Sequence, residues 1–520
     1  MVFRSEFPDV PDVDLPIHEA VLSPAAGYGD RTALIDGLTG ERVSYARLAA
    51  SVERVAAGLA EAGVRKGDVV ALFSPNSIAY PTAYYGASRA GATVTTVSSL
   101  STPGELAGQL GDSDARWLIT VSPFLPTARA AADLLAAAGR PLTGTVVLDG
   151  AEGHPSLADL LAATGPAPEP AVDPGEDIAV LPYSSGTTGL PKGVMLTHRS
   201  IATNLAQTDA LYRPAVGERV LAVLPFFHIY GLTALLNQPL RCGATVVVLP
   251  RFDLETFCRA VEQHRVQGLV VAPPIALALA RHPLVDRFDL SSVEYLLCAA
   301  APLDQELAAA CARRLNLPHL LQGYGMTELS PVTHVVSPTD PAPSPGSVGR
   351  LVPSTELRVT ALDGSGDDLG PGERGELLIR GPQVMKGYFG RPCDTAAVVD
   401  AEGWLHTGDL ARIDERGYIF LTGRKKNVII LGSGENVSPE ELEAKLNQCP
   451  EVTESLVREE NGKIGALVWC GESGAGDKQA AVQAYVTELN RTLPLYKRIA
   501  AVHLAEGPLP RNAAGKLLRK

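Results

Sequence analysis

Residues 183 to 198 read YSSGTTGLPKGVMLTH and follow the apolar run IAVLP. Ser184, Ser185, Thr187 and Thr188 offer hydroxyl donors, while Gly186, Gly189 and Gly193 let backbone amides turn toward an anion. Lys192 adds a positive charge, and the set suits a polyphosphate. The usual P-loop ends in G-K-[ST]. Here Pro191-Lys192-Gly193 leaves no metal-binding hydroxyl after the lysine, so a kinase-like or ATPase reading loses its main support. A flexible Gly/Ser linker has the same composition, and the loop alone does not decide between the two.

Five further stretches follow in order: QGYGMTE at 322–328, GELLIRGPQVMKGY ending at Tyr388, GWLHTGDL at 403–410, GRKKN at 423–427, and PLPRNAAGKLLRK at 508–520. With SSGTTGLPKGV they span nearly the whole chain. Together they resemble the adenylate-forming enzymes, a family that includes acyl- and aryl-CoA ligases, firefly luciferase and the adenylation domains of peptide synthetases.

The resemblance implies ATP, Mg²⁺ and coenzyme A as small-molecule partners, and it distributes the work among named residues. The opening loop would wrap the β- and γ-phosphates. Gln322, Gly323 and Tyr324 would lie at the adenine, with Thr327 touching the α-phosphate and Glu328 holding Mg²⁺. An aromatic face and a hard oxygen ligand suit those tasks. Asp409 would accept the ribose hydroxyls, and Arg424 would also touch the nucleotide. Lys426 would be the hinge about which a small C-terminal domain rotates, and Gly432 and Gly434 would line the pantetheine tunnel. Lys516 would sit beside the carboxylate and α-phosphate during adenylation; read by itself, its segment is a basic tail.

Peptide-synthetase adenylation domains commonly carry an Asp for the substrate ammonium where this chain has LPFFHIYGL, residues 224–232. Without a carboxylate a buried ammonium is costly, which disfavours an α-amino acid. The segment is most similar to that of 4-coumarate:CoA ligases, as is Pro273-Pro274-Ile275. That likeness implies His228 as the group orienting the carboxylate and Tyr230 as a wall of an aryl pocket, completed by Ala299, Ala300 and Gly325. The turn Cys298-Ala299-Ala300-Ala301-Pro302-Leu303 departs from the S-G-A-A-P-L pattern, and the extra methyl at Ala299 implies a pocket preferring cinnamate or 4-coumarate over ring-methoxylated acids. The alternatives are a medium- or long-chain fatty acyl-CoA ligase, an adenylating enzyme that loads a carrier protein, and a nucleotide-binding scaffold without catalysis.

Elements of two kinds must position these groups. Short apolar runs such as DVVALFS, ATVTTVS, ATVVVLP, GLVVAPP and VEYLLCAAA alternate with amphipathic stretches such as YARLAASVERVAAGLAEAG. The pattern predicts an α/β fold with partly parallel sheets. TGPAPEPAVDPGED reads as a Pro-rich linker and PTDPAPSPG as a loop. After residue 420 the texture changes, giving a large N-terminal domain of layered α/β subdomains at 1–424 and a small, mobile α+β domain at 425–520. Ser438, Pro439 and Glu441 predict a capping box opening a helix before Leu442 and Leu446.

The 520 residues are 46 % hydrophobic and 20 % charged, enough for a sizeable interior. A net charge of −13 argues against a nucleic-acid partner. The 7 cysteines lack metal-like spacing and predict scattered thiols without structural zinc. No signal peptide is evident at the first residues, and the apolar run LAVLPFFHIYGLTALLNQPL is broken by Pro225, His228, Asn237 and Gln238. A cytoplasmic protein without membrane insertion is expected.

Overall fold

The computed structural model describes the chain except residues 185–190, 432–435, 461–462, 472–474, 511–516 and 520, and except the side chains of 26, 430, 436 and 475–477. The fold is mixed α/β, with a large N-terminal part and a small C-terminal one.

Two large mixed sheets and a five-stranded antiparallel one form the N-terminal part. In the first, Val69–Phe73 pairs in parallel with Thr93–Thr96 and Ala115–Thr120, and Ala115–Thr120 pairs in parallel with Gly144–Val147. Its other edge is antiparallel: Ile178–Val180, then Lys192–Thr197, then the two-residue strand Gly387–Tyr388. The predicted helix forms at Tyr45–Ala62, where the Ser44 side chain accepts from the Arg47 amide. Leu48, Val52, Val55 and Leu59 recur at helical spacing and are buried. Gly63 ends the helix in the left-handed region at φ 114°, which a residue with a Cβ adopts only under strain.

In the second sheet, Arg219–Ala222, Gly268–Val271, Tyr295–Cys298 and Leu321–Gly325 run parallel. Their carboxyl ends therefore open on one edge, and the loops bearing His228, Ala299 and Glu328 all leave from it. Ligands of open α/β sheets bind at such an edge. A five-stranded sheet, Phe3–Arg4, Glu356–Thr360, Gly375–Arg380, Leu405–Ile413 and Ile419–Arg424, carries Asp409 and Arg424 on neighbouring strands.

The helix His198–Thr208 locks these layers together. It continues directly from the strand Lys192–Thr197 and buries two amides, Asn204 and Gln207. Asn204 Nδ2 donates to the Val332 carbonyl at 2.8 Å, and Gln207 Nε2 donates to the Pro353 carbonyl at 2.8 Å. A buried amide left unpaired would cost about 1–3 kcal/mol, so these bonds fix the packing rather than merely accompany it.

Beyond the 3-10 turn Lys425–Asn427, the helix Pro439–Leu446 and the helix Ala475–Thr492 flank a three-stranded sheet, Glu454–Glu460, Lys463–Trp469 and Ile499–Leu504. Leu442, Leu446, Val457, Ala466, Val482 and Val486 form a separate small core. The helix begins where expected, but the capping box does not form. Ser438 makes no side-chain cap bond; its hydroxyl donates instead to the Thr422 carbonyl at 2.7 Å, across to the strand before the turn. Glu441 is held by Lys497, at 2.7 Å. Tertiary partners have displaced both halves of the local cap.

Candidate active site

The segment Tyr183–Ser184 pairs with Lys192–Gly193, so the two ends of the expected phosphate loop are brought side by side. Ser185, Gly186, Thr187, Thr188 and Gly189 lie outside the described residues, as do Gly432, Gly434 and Lys516. At the loop's start, Tyr183 Oη donates to Asp112 Oδ2 at 2.8 Å, and Arg391 donates to the other oxygen at 2.9 Å. At its end, Lys192 is buried; its Nζ is 3.1 Å from Asp394 Oδ2 and 4.9 Å from the centre of the Tyr388 ring.

Glu328 sits in the 3-10 turn Thr327–Leu329 and is 1 % exposed. Tyr388 Oη donates to its Oε1 at 3.0 Å. Among the described residues no Lys, Arg or His pairs with it. A buried carboxylate without a cation is costly, and this one fits a divalent cation that takes its remaining ligands from phosphate and water. Thr327 is buried beside it. In the preceding strand a Cβ on Gly325 would run into the Pro331 carbonyl, and one on Gly323 would crowd the His334 carbonyl at 3.3 Å. Gln322, half-buried, holds its register through its carbonyl, which accepts from the Val336 amide at 2.8 Å.

Tyr324, Asp409 and Arg424 come together as one group. Tyr324 Oη donates to Asp409 Oδ2 at 2.6 Å, and Arg424 Nε is 2.7 Å from Oδ1. Burial, then the Asp409 charge, pushes the Tyr324 phenol well above its ordinary pKa, so it acts as a fixed donor. Lys426 lies in the turn after Arg424; partial desolvation of its ammonium and then the Arg424 charge lower its pKa. Its neighbour Lys425 reaches back to Glu376 at 2.7 Å.

His228 Nδ1 accepts from the Tyr230 amide at 3.2 Å, so a neutral ring carries its proton on Nε2. Tyr230 is buried, with its hydroxyl donating to the Val271 carbonyl at 3.3 Å. Ala299 is half-buried and Ala300 exposed, and Ala300 takes φ 76°, a left-handed conformation unusual for alanine.

Sequence reasoning passed over Asp112, Tyr388, Arg391 and Asp394. Tyr388 ends a recognised motif, but nothing in the spacing shows that its strand pairs with the one after the phosphate loop. Arg519 was also missed: it pairs with Glu443 at 2.6 Å and so anchors the chain just after Lys516.

The family model of AMP-binding enzymes matches residues 23–389. The chain belongs to that family. This AMP-binding enzyme is 38 % identical over 532 residues to 4-coumarate–CoA ligase 5 of Oryza sativa subsp. japonica, covering 100 % of this chain and 96 % of that one. It is 37 % identical over 541 residues to 4-coumarate–CoA ligase 3 of Arabidopsis thaliana, covering 100 % and 93 %. Among solved structures it is similar to the anthranilate CoA ligase AuaEII in complex with anthranoyl-AMP, with TM-score 0.87, 26 % identity and coverage of 98 % and 96 %. It is also similar to ATP-bound MatB from Rhodopseudomonas palustris, with TM-score 0.83, 28 % identity and coverage of 96 % and 97 %. No helix among the described residues is long and apolar enough to cross a membrane.

Proposed function

We propose that this adenylate-forming CoA ligase converts a cinnamate-type acid to its CoA thioester. The carboxylate oxygen attacks the α-phosphorus of ATP and pyrophosphate leaves; the CoA thiolate then attacks the acyl carbonyl and AMP leaves. Adenylation is needed because a free carboxylate has no leaving group better than oxide.

The first step is in-line positioning and neutralisation of growing negative charge. Asp409 and Arg424 would hold the ribose side, with Tyr324 at the base and Gln322 and Gly323 beside it. Thr327 would meet the α-phosphate, and the loop from Ser184 to Lys192 would take the β- and γ-phosphates. Glu328 would hold Mg²⁺, which supplies charge neutralisation at the phosphates. His228 would orient the carboxylate through Nε2, and Lys516 would stabilise the α-phosphate. For the thiolate step the unit 425–520 would turn about Lys426, bringing Gly432 and Gly434 to the pantetheine arm.

The observation that supports the aryl assignment is Tyr230, buried at the carboxyl edge of the parallel sheet with its hydroxyl on the Val271 carbonyl. Its segment LPFFHIYGL offers aromatic side chains and no Asp that could pair with an ammonium. An aromatic wall suits a flat ring better than a flexible chain. The test is an acid panel of cinnamate, 4-coumarate, ferulate, benzoate, hexanoate and palmitate with ATP and Mg²⁺, following pyrophosphate and thioester with and without CoA. CoA-dependent thioester strongest with the cinnamates is expected. Preference for hexanoate or palmitate would overturn the aryl assignment, and pyrophosphate without thioester would move the acyl group to another acceptor.

A further inference from the structure

The phosphate loop and the carboxylate of Glu328 are separate in sequence, yet one side chain touches both. Tyr388 lies on the edge strand that pairs with Val194 and Met195, just after Lys192. Its hydroxyl donates to Glu328 Oε1 at 3.0 Å, while its ring centre lies 4.9 Å from Lys192 Nζ. Tyr388 is itself 3 % exposed, and its amide donates to Thr395 Oγ1 at 2.9 Å, so the ring has little freedom. Asp394, on the short helix Pro392–Ala396 that follows the strand, also holds Lys192, at 3.1 Å.

We propose that Tyr388 is a positioning residue that couples the metal carboxylate to the phosphate-loop lysine, its hydroxyl fixing Glu328 and its ring fixing Lys192. The proposal rests on the assignment of Glu328 to Mg²⁺ made above. A carboxylate with one oxygen held by a donor presents its other oxygen in a defined direction, and loss of such an outer partner typically weakens metal binding about 10- to 100-fold. The ring face favours an ammonium in the same place whether or not phosphate is present. Lys192 and Glu328 are thereby set at a fixed separation before the nucleotide arrives.

The test measures binding, apart from turnover. Mn²⁺ binding to the protein with α,β-methylene-ATP is titrated by electron paramagnetic resonance, and the affinity for the analogue alone is measured without metal. Tyr388→Phe keeps the ring and removes the hydroxyl: Mn²⁺ binding is expected to weaken about 10-fold while metal-free affinity for the analogue stays within about twofold of the unaltered protein. Tyr388→Leu is expected to lose both, since Lys192 no longer has its ring. The metal-free affinity of Tyr388→Phe also reports that the variant is folded. Glu328→Gln distinguishes the coupling from the metal assignment beneath it. If Glu328→Gln weakens Mn²⁺ binding and Tyr388→Phe does not, the coupling is wrong although Glu328 keeps its assignment. If Glu328→Gln leaves Mn²⁺ binding unchanged, the assignment of Glu328 fails and the coupling falls with it.

Discussion

Ala299→Gly removes one methyl from the wall proposed for the substrate ring, and Gly323→Ala adds one beside it on the neighbouring strand. The point that a Cβ on Gly323 would occupy is 3.8 Å from Ala299 Cβ, an ordinary contact, and 3.3 Å from the His334 carbonyl, a tight one. The two changes therefore alter the bulk of the same patch in opposite directions. One methylene-sized change in an apolar pocket is worth about 1–3 kcal/mol of discrimination, roughly 10- to 200-fold in relative kcat/KM. Ala299→Gly should raise kcat/KM for ferulate relative to 4-coumarate by about 10-fold or more, and Gly323→Ala should lower it. The assay is thioester formation with cinnamate, 4-coumarate, caffeate and ferulate at saturating ATP and CoA. Unchanged ratios in both variants would refute the placement of the substrate ring against these residues.

Two other outcomes follow from buried polar groups. His334 is fully buried, and burial pushes its pKa down to about 3. The folded value lies below the unfolded one near 6.5, so the stability it permits is present above about pH 6.5 and is lost as pH falls toward 3, at about 1.4 kcal/mol per pH unit. Between about pH 7 and pH 5 the stability advantage of the unaltered protein over His334→Gln, measured by urea unfolding, should shrink by about 2 kcal/mol; parallel curves would count against it. Tyr324→Phe removes the hydrogen bond to Asp409, of a kind worth about 1.5–3 kcal/mol with a charged acceptor. KM for ATP is expected to rise about 10-fold or more with the KM for the acid unchanged, and an equal change in both constants would place Tyr324 away from the nucleotide.

Local pattern was enough to give the class of fold, while the family came from the resemblance of the motifs and is shown by the family model over residues 23–389. Apolar runs such as ATVVVLP and GLVVAPP are satisfied best as buried strands, and each became one, at Thr245–Val248 and Gly268–Val271. Tyr324, Asp409 and Arg424 were legible only as members of separate motifs; the bonds among them are a consequence of strand register. Local patterns failed where a distant partner offered more. Ser438 and Glu441 had the spacing of a cap, yet Thr422 and Lys497 took their side chains. Tyr388, Arg391 and Asp394 carry no periodic or spacing signal. What places them beside Lys192 is the antiparallel pairing of Gly387–Tyr388 with Val194 and Met195, far earlier in the chain. Spacing along the chain records which chemical groups are available; which of them meet is settled by the sheet edges on which they fall.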